Sequence, residues 1–315
     1  EFMVADSHRW TPIKIKVIIN EALIIAHDAG REWMTYKDWL AAADQRDMGL
    51  KQPIRRMLDD DRRALAYHEA GHAVVARYLK PEDRIMKASI IRSGDALGVV
   101  QTSERDERYT YHARQIEVDI MISLGSRAVE EEILDTKMTG ASSDLMNASA
   151  RALNYCSMLG MGSTLLVQPP NAPMTFPLPV ARMADELLIL LMEEAKRLVR
   201  EKEYAVHALA AALLEKGELI GTELEEVFAA ADAANPDQAG PFQRKIVVLP
   251  RLFTSVLLQD SDVATRPEAT QAAAAAEGAA MRQPGSPSDP AGSAWASGGS
   301  WTAGDGVSTR IDWTN

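Results

Sequence analysis

The chain has 315 residues, 46% hydrophobic and 25% charged, with 34 basic against 45 acidic side chains and a formal net charge of −11. That length allows one large or two small domains with a real core. The acidic balance argues against nucleic acid as a partner, because neutralising phosphates needs a basic surface.

A single cysteine, Cys156, leaves no intrachain disulfide and suits a reducing compartment. It lies in a helical pattern beside Leu153, Tyr155 and Leu159, so it reads as a small buried hydrophobe. No apolar run reaches the ~18 residues a membrane span needs, and no signal peptide is visible. The opening Glu1-Phe2-Met3 reads as a remnant ahead of a start methionine, which leaves room for the chain being a fragment.

In chain order, residues 13–28 carry Ile15, Ile18, Ile19, Ala22, Leu23, Ile25 and Ala26 at helical spacing, and Gly30 stops the run. Thr35-Tyr36-Lys37-Asp38 matches a loose capping box that opens a second short helix through Ala43. Asp59-Asp60-Asp61 places negative charge at the start of a longer helix, where the macrodipole favours it, and that helix runs to Leu79 before Pro81. From Arg84 to Gln101 the pattern alternates, is rich in Ile and Val and is broken by Gly94 and Gly98, which predicts one or two strands with a turn.

Helices are predicted over 112–134 and 142–159, followed by a loop carrying Pro169, Pro170, Pro173, Pro177 and Pro179. Residues 182–215 give the strongest helical signal, read as two helices ended by Gly217, and Thr222-Glu223-Leu224-Glu225 caps a last short helix. An apolar patch within 243–259 suggests a strand. From Asp260 the Ala, Gly, Ser, Pro and Thr composition cannot bury enough surface to order itself, which predicts disorder.

The chemistry concentrates in His68-Glu69-Ala70-Gly71-His72, an H-E-x-x-H pattern. On a helix, positions i and i+4 share a face, so both imidazoles can reach one ion. Glu69 lies about 100° round the helix from His68, placed to touch a metal-activated water rather than the metal. Leu65, Ala66, Val74, Val75 and Leu79 give this helix an apolar face, and Gly71 leaves room near the site. A zinc peptidase needs a third protein ligand. His8, His27, His112 and His207 sit in no ligand context and read as structural or solvated. Spacing alone leaves Asp144, at the start of a helix after a Gly-containing turn, in competition with Glu130, Glu131 and Glu132. Two histidines and a carboxylate would also suit iron, but the H-E-x-x-H context favours zinc.

Four stretches together carry a family resemblance. They are Ala66–Ala73 around the metal motif, Ile90–Gly98, Gly125–Glu131 and Thr139-Gly140-Ala141-Ser142-Ser143-Asp144-Leu145. In this order and spacing they resemble the FtsH family of ATP-dependent zinc metalloproteases. Asn20-Glu21-Ala22 followed by Trp39 and Ala42 resembles the last helices of that family's AAA+ lid.

The resemblance covers roughly residues 10–230. It implies His68, His72 and Asp144 as ligands of one Zn2+ and Glu69 as the catalytic acid/base, with Glu130 left a helix or outer-contact role. It also implies a ring-shaped homohexamer acting on unfolded or damaged proteins, with a strand near Leu97–Val100 as the edge on which an extended substrate lies. The expected fold is mainly α, a helical zinc-metallopeptidase domain with a small β element. The expected organisation is a lid-like segment over 1–55, the peptidase domain over 56–235 and a low-complexity tail over 236–315.

The departures from the family bear on ATP and on the membrane. No G-x-x-x-x-G-K-[ST] loop occurs, and Thr11-Pro12-Ile13-Lys14 stands where the family has a nucleotide-contacting Gly-Ala-Asp stretch. ATP is therefore expected to act only through an ATPase domain absent from this sequence. Ser126 replaces a usual glycine. The chain is expected to be soluble as given and at the cytoplasmic face, with any membrane attachment left to the parent. The alternative reading is a catalytically silent scaffold or adaptor that binds zinc and oligomerises.

Overall fold

The computed structural model describes residues 2–7, 10–51, 57–94, 96–105, 108–165, 167 and 178–245. The apolar patch from Ile246 to Leu258, the tail from Asp260, His8 and most of the Pro-rich loop lie outside the described residues. The fold is mainly helical with one small sheet. In chain order the elements are α1 (Phe2–Asp6), α2 (Pro12–Asp28), α3 (Tyr36–Asp47), α4 (Asp59–Leu79), β1 (Asp83–Ser89), β2 (Val99–Glu104), α5 (Ala113–Glu132), α6 (Ser142–Ser157), α7 (Leu178–Glu201), α8 (Glu203–Lys216), β3 (Glu218–Ile220) and α9 (Thr222–Ala234).

Local chemistry explains most boundaries. Thr11 Oγ1 accepts from Lys14 N at 3.3 Å and Pro12 opens α2. The Asp38 carboxylate accepts the Thr35 N–H at 2.7 Å and is forked by Arg31, which holds this carboxyl below its usual range. With that start fixed, α3 runs four residues past the predicted Ala43 to Asp47. Gly217 adopts φ 76° and its N–H bonds to Leu213 O at 2.8 Å, closing α8 with a left-handed cap.

The main core lies between α4, α5, α6, α7 and α8. Met183, Leu187, Leu191 and Leu198 recur at helical spacing on α7 and are buried there. Each fully buried leucine contributes about 1.5–3 kcal/mol. Helices α4 and α5 cross at Gly71 and Gly125 with their backbones in contact. A Cβ on Gly71 would lie 2.5 Å from Gly125 O, and one on Gly125 would lie 2.7 Å from Gly71 O. That crossing brings the His68–His72 turn against α5.

The sheet has the order β2-β1-β3, with both pairings antiparallel, so β2 is an edge strand. Ile85 faces Thr102 and Lys87 faces Gln101, with an irregularity between them. The alternation read across this region is not a solvent-facing pattern, because the central strand β1 is buried on both faces. Its cation Lys87, 1% exposed, is paired with Asp44 of α3 and with Glu218 of β3 at 2.9 Å. β3 was not expected: three residues are too few to carry a pattern, and their N-terminal neighbour is a helix cap.

A smaller core joins Ile18, Ala22, Trp39, Leu40 and Ile220, so α2 and α3 pack on the sheet side of the molecule. Residues 236–245, the first part of the expected tail, are held in place. Phe242 is buried under the Arg197 guanidinium, 4.1 Å from its ring centre, Arg244 pairs with Glu117, and Lys202 Nζ donates to Gly240 O at 2.6 Å.

Candidate metal centre

One turn of α4 presents His68 and His72 to the first turn of α6, where Asp144 sits. The two rings meet edge to face with centres 5.0 Å apart. His68 Nε2 lies 3.1 Å and His72 Nε2 lies 3.3 Å from the same oxygen, Asp144 Oδ2. One donor atom from each residue falls within 4.8 Å of the others, a spacing that can hold a metal ion, and it is the one such group among the described residues. Two imidazoles and one carboxylate fit Zn2+ with a fourth position left open.

Outer contacts fix the ring orientations. His72 Nδ1 donates to Ile122 O at 2.7 Å. A carbonyl can only accept, so in the neutral ring the proton sits on Nδ1 and the Nε2 lone pair is free for a cation. His68 Nδ1 meets Glu130 Oε1 at 3.2 Å, which orients that ring the same way. Glu130 is fully buried and also accepts from Met138 N at 3.0 Å and pairs with Arg127. Ser126 Oγ donates to Asp144 Oδ2 at 3.3 Å.

The electrostatics favour positive charge at this point. Burial opposes protonation of His68, but Asp144, Glu130 and Glu69 outweigh it and lift the imidazole to about 9. For His72, too, burial is outweighed by Asp144. Burial works against ionisation of Asp144, yet its bonds to the two histidines hold the carboxyl well below the usual range. Burial pushes Glu69 up, only partly countered by the histidines. A buried carboxyl with a raised pKa beside a cation-favouring pocket is suited to taking up and returning a proton.

Gly98, just before β2, fixes where Glu69 can lie. A Cβ there would stand 2.3 Å from Glu69 Oε1. The edge strand therefore begins against the carboxylate, and Leu97 beside it is exposed.

Of the residues in competition for third ligand, Asp144 faces the histidine Nε2 atoms, whereas Glu130 reaches the far nitrogen of His68. Glu131 pairs with Lys196 at 2.7 Å and Glu132 with Arg200 at 2.8 Å, both away from the imidazoles. His207 bonds Tyr67 Oη at 2.8 Å, and His27 is exposed. Cys156 is buried, and burial pushes its thiol up to about 11. The Ile122 carbonyl left no trace in the sequence, since a backbone acceptor has no residue signature. The approach of Gly98 to Glu69 was signalled only by a glycine read there as turn punctuation.

Residues 55–173, which contain the whole constellation, match the model of peptidase family M41. The match is confined to this segment, 119 of the 315 residues. Curated relatives align over a longer stretch than this match. ATP-dependent zinc metalloprotease FtsH 1 of Sorangium cellulosum is 34% identical over 229 residues, 67% of this chain and 37% of the relative. ATP-dependent zinc metalloprotease FtsH of Neorickettsia risticii is 31% identical over 221 residues, 67% of this chain and 35% of the relative. The FtsH of Acidothermus cellulolyticus is 33% identical over 222 residues, 65% of this chain and 33% of the relative. The chain thus spans about a third of the length of these relatives. Among its described residues no helix is long and apolar enough to cross a membrane.

Proposed function

We propose that this chain is a zinc metalloendopeptidase in which His68, His72 and Asp144 hold one Zn2+ and Glu69 is the catalytic acid/base. The observation that carries this reading is the convergence of His68 Nε2 and His72 Nε2 on Asp144 Oδ2, with Glu69 on the same helical turn. A bound zinc would lower the pKa of water to about 7 and polarise the scissile carbonyl. Glu69 takes the proton of the attacking water and returns it to the leaving amine. Its raised pKa favours uptake of the water proton in the first half of that cycle. Glu130 and the Ile122 carbonyl keep the imidazoles turned so that each Nε2 faces the site.

The substrate would lie extended along β2, whose outer edge is free of strand pairing among the described residues. Main-chain pairing of this kind tolerates many sequences and suits unfolded or damaged proteins. The relatives' name, ATP-dependent zinc metalloprotease, supports an ATP-driven delivery step. In this reading ATP acts through an ATPase domain outside this sequence, residues 1–55 are the end of an AAA+ lid, 56–235 the peptidase domain, and the working assembly is a homohexamer at the cytoplasmic face.

The test compares this chain with Glu69→Gln on an unfolded casein, with one equivalent of zinc. Cleavage by the first, abolished by a chelator, and none by the second with zinc still bound is the expected outcome. Equal cleavage by both would remove Glu69 from the mechanism. Zinc bound one to one with no cleavage by either would favour the alternative, a catalytically silent scaffold.

A further inference from the structure

Helix α5 touches all three proposed metal ligands, and it does so from three positions four residues apart. The Ile122 carbonyl accepts from His72 Nδ1, Ser126 Oγ donates to Asp144 Oδ2, and Glu130 Oε1 meets His68 Nδ1. Residues spaced by four lie one above another on a helix face, so these contacts form three successive rungs. The middle rung is the one made by a side chain that departs from the family resemblance, in which a glycine stands at position 126.

Ser126 is fully buried and lies one residue from Gly125, the point of closest approach to α4. A serine inside a helix commonly turns its hydroxyl back to the carbonyl four residues earlier. Here that carbonyl is Ile122 O, which already receives His72 Nδ1, and the hydroxyl points across to α6 instead. An ionised carboxylate has about four lone-pair sites on its two oxygens. Asp144 can therefore accept the hydroxyl and still present a lone pair to a cation. Without the hydroxyl, among the described residues only the two histidines would fix the Asp144 carboxylate plane.

We propose that Ser126 is a positioning residue for the third metal ligand: its hydroxyl orients the Asp144 carboxylate toward the two imidazoles and so strengthens metal binding. The inference rests on the reading of Asp144 as a zinc ligand. Its action is through Asp144, the proposed ligand that its hydroxyl touches.

Zinc affinity, measured by competition with a chromogenic chelator, is the readout for wild type, Ser126→Ala, Ser126→Gly, Asp144→Ala and the double variant Ser126→Ala/Asp144→Ala. Thermal unfolding of the metal-free proteins records any packing damage separately. Contacts of this type are worth about ten- to hundredfold in metal affinity. Both Ser126 variants are expected to lose affinity in that range, and Ser126→Ala is expected to add nothing in the Asp144→Ala background. Wild-type affinity in Ser126→Ala, or the same loss with Asp144 absent, would overturn the proposal. If Asp144→Ala itself bound zinc as wild type does, the ligand assignment would fall and this inference with it. If Asp144→Ala weakened binding while both Ser126 variants did not, only the role of Ser126 would fall.

Discussion

Replacing Gly98 by alanine isolates the placement of Glu69 from the binding of the metal. The added methyl would sit 2.3 Å from Glu69 Oε1, 2.7 Å from its Cδ and 2.9 Å from its Cγ. Restoring ordinary contact requires the carboxylate to retreat by about 1 Å, and a misplacement of that size costs on the order of a hundredfold in rate. The atoms that must move are the end of one side chain rather than backbone, so the fold itself should bear little of the strain. Gly98 also has no positive φ that would penalise alanine. Initial rates on a fluorescently labelled unfolded protein should therefore drop about a hundredfold in kcat. Zinc stoichiometry and the unfolding midpoint should stay near wild type. Full activity in Gly98→Ala would refute the argument that the start of β2 sets the position of the general base. Loss of zinc along with activity would also refute it, by showing that the strand acts on the metal ligands instead.

Three further outcomes follow from the same geometry. Gly71→Ala should destabilise by about 1–3 kcal/mol in denaturant unfolding, because its Cβ would meet the Gly125 backbone and the two helices must separate. Lys87→Met should cost about 3–5 kcal/mol by the same assay, since it leaves Asp44 and Glu218 without their buried cation, and adding Asp44→Leu should recover part of that loss. The third outcome concerns pH. His68 is raised in the folded chain to about 9 from an ordinary 6.5, so its contribution to metal-free stability is complete below about 6.5 and is lost as pH rises through 9. That gap is worth up to about 3 kcal/mol. Zinc needs the neutral ring, so its stabilising effect should grow over the same interval. Unfolding midpoints with and without zinc from pH 6 to 9.5 should diverge, and parallel curves would contradict the assigned electrostatics.

The long helices were legible because their buried residues recur at helical spacing, as on α7, and because Gly30, the acidic run Asp59-Asp60-Asp61 and Gly217 mark their ends. The sheet was legible only in part. β1 is buried on both faces, so its charged residues occupy buried ion pairs that no periodicity reveals, and β3 has too few residues to show any pattern. The histidine pair could be read from the i, i+4 spacing because one helix carries both members. The third carboxylate could not be chosen by spacing, since Asp144, Glu130, Glu131 and Glu132 lie on different helices or faces and only tertiary packing sorts them. Ser126 shows the same limit: a hydroxyl in a helix gives no local indication that it will bond a residue 18 positions away on α6.

His68, His72 and Asp144 are proposed to form one zinc centre with Glu69 beside it. The most direct test is zinc-edge anomalous diffraction from crystals of the zinc-loaded chain. One ion per chain is expected about 2.0–2.2 Å from His68 Nε2, His72 Nε2 and an Asp144 oxygen, with Glu69 outside bonding distance. An ion bound through Glu130 or Glu69 in place of Asp144, or no ion between the two imidazoles, would contradict it.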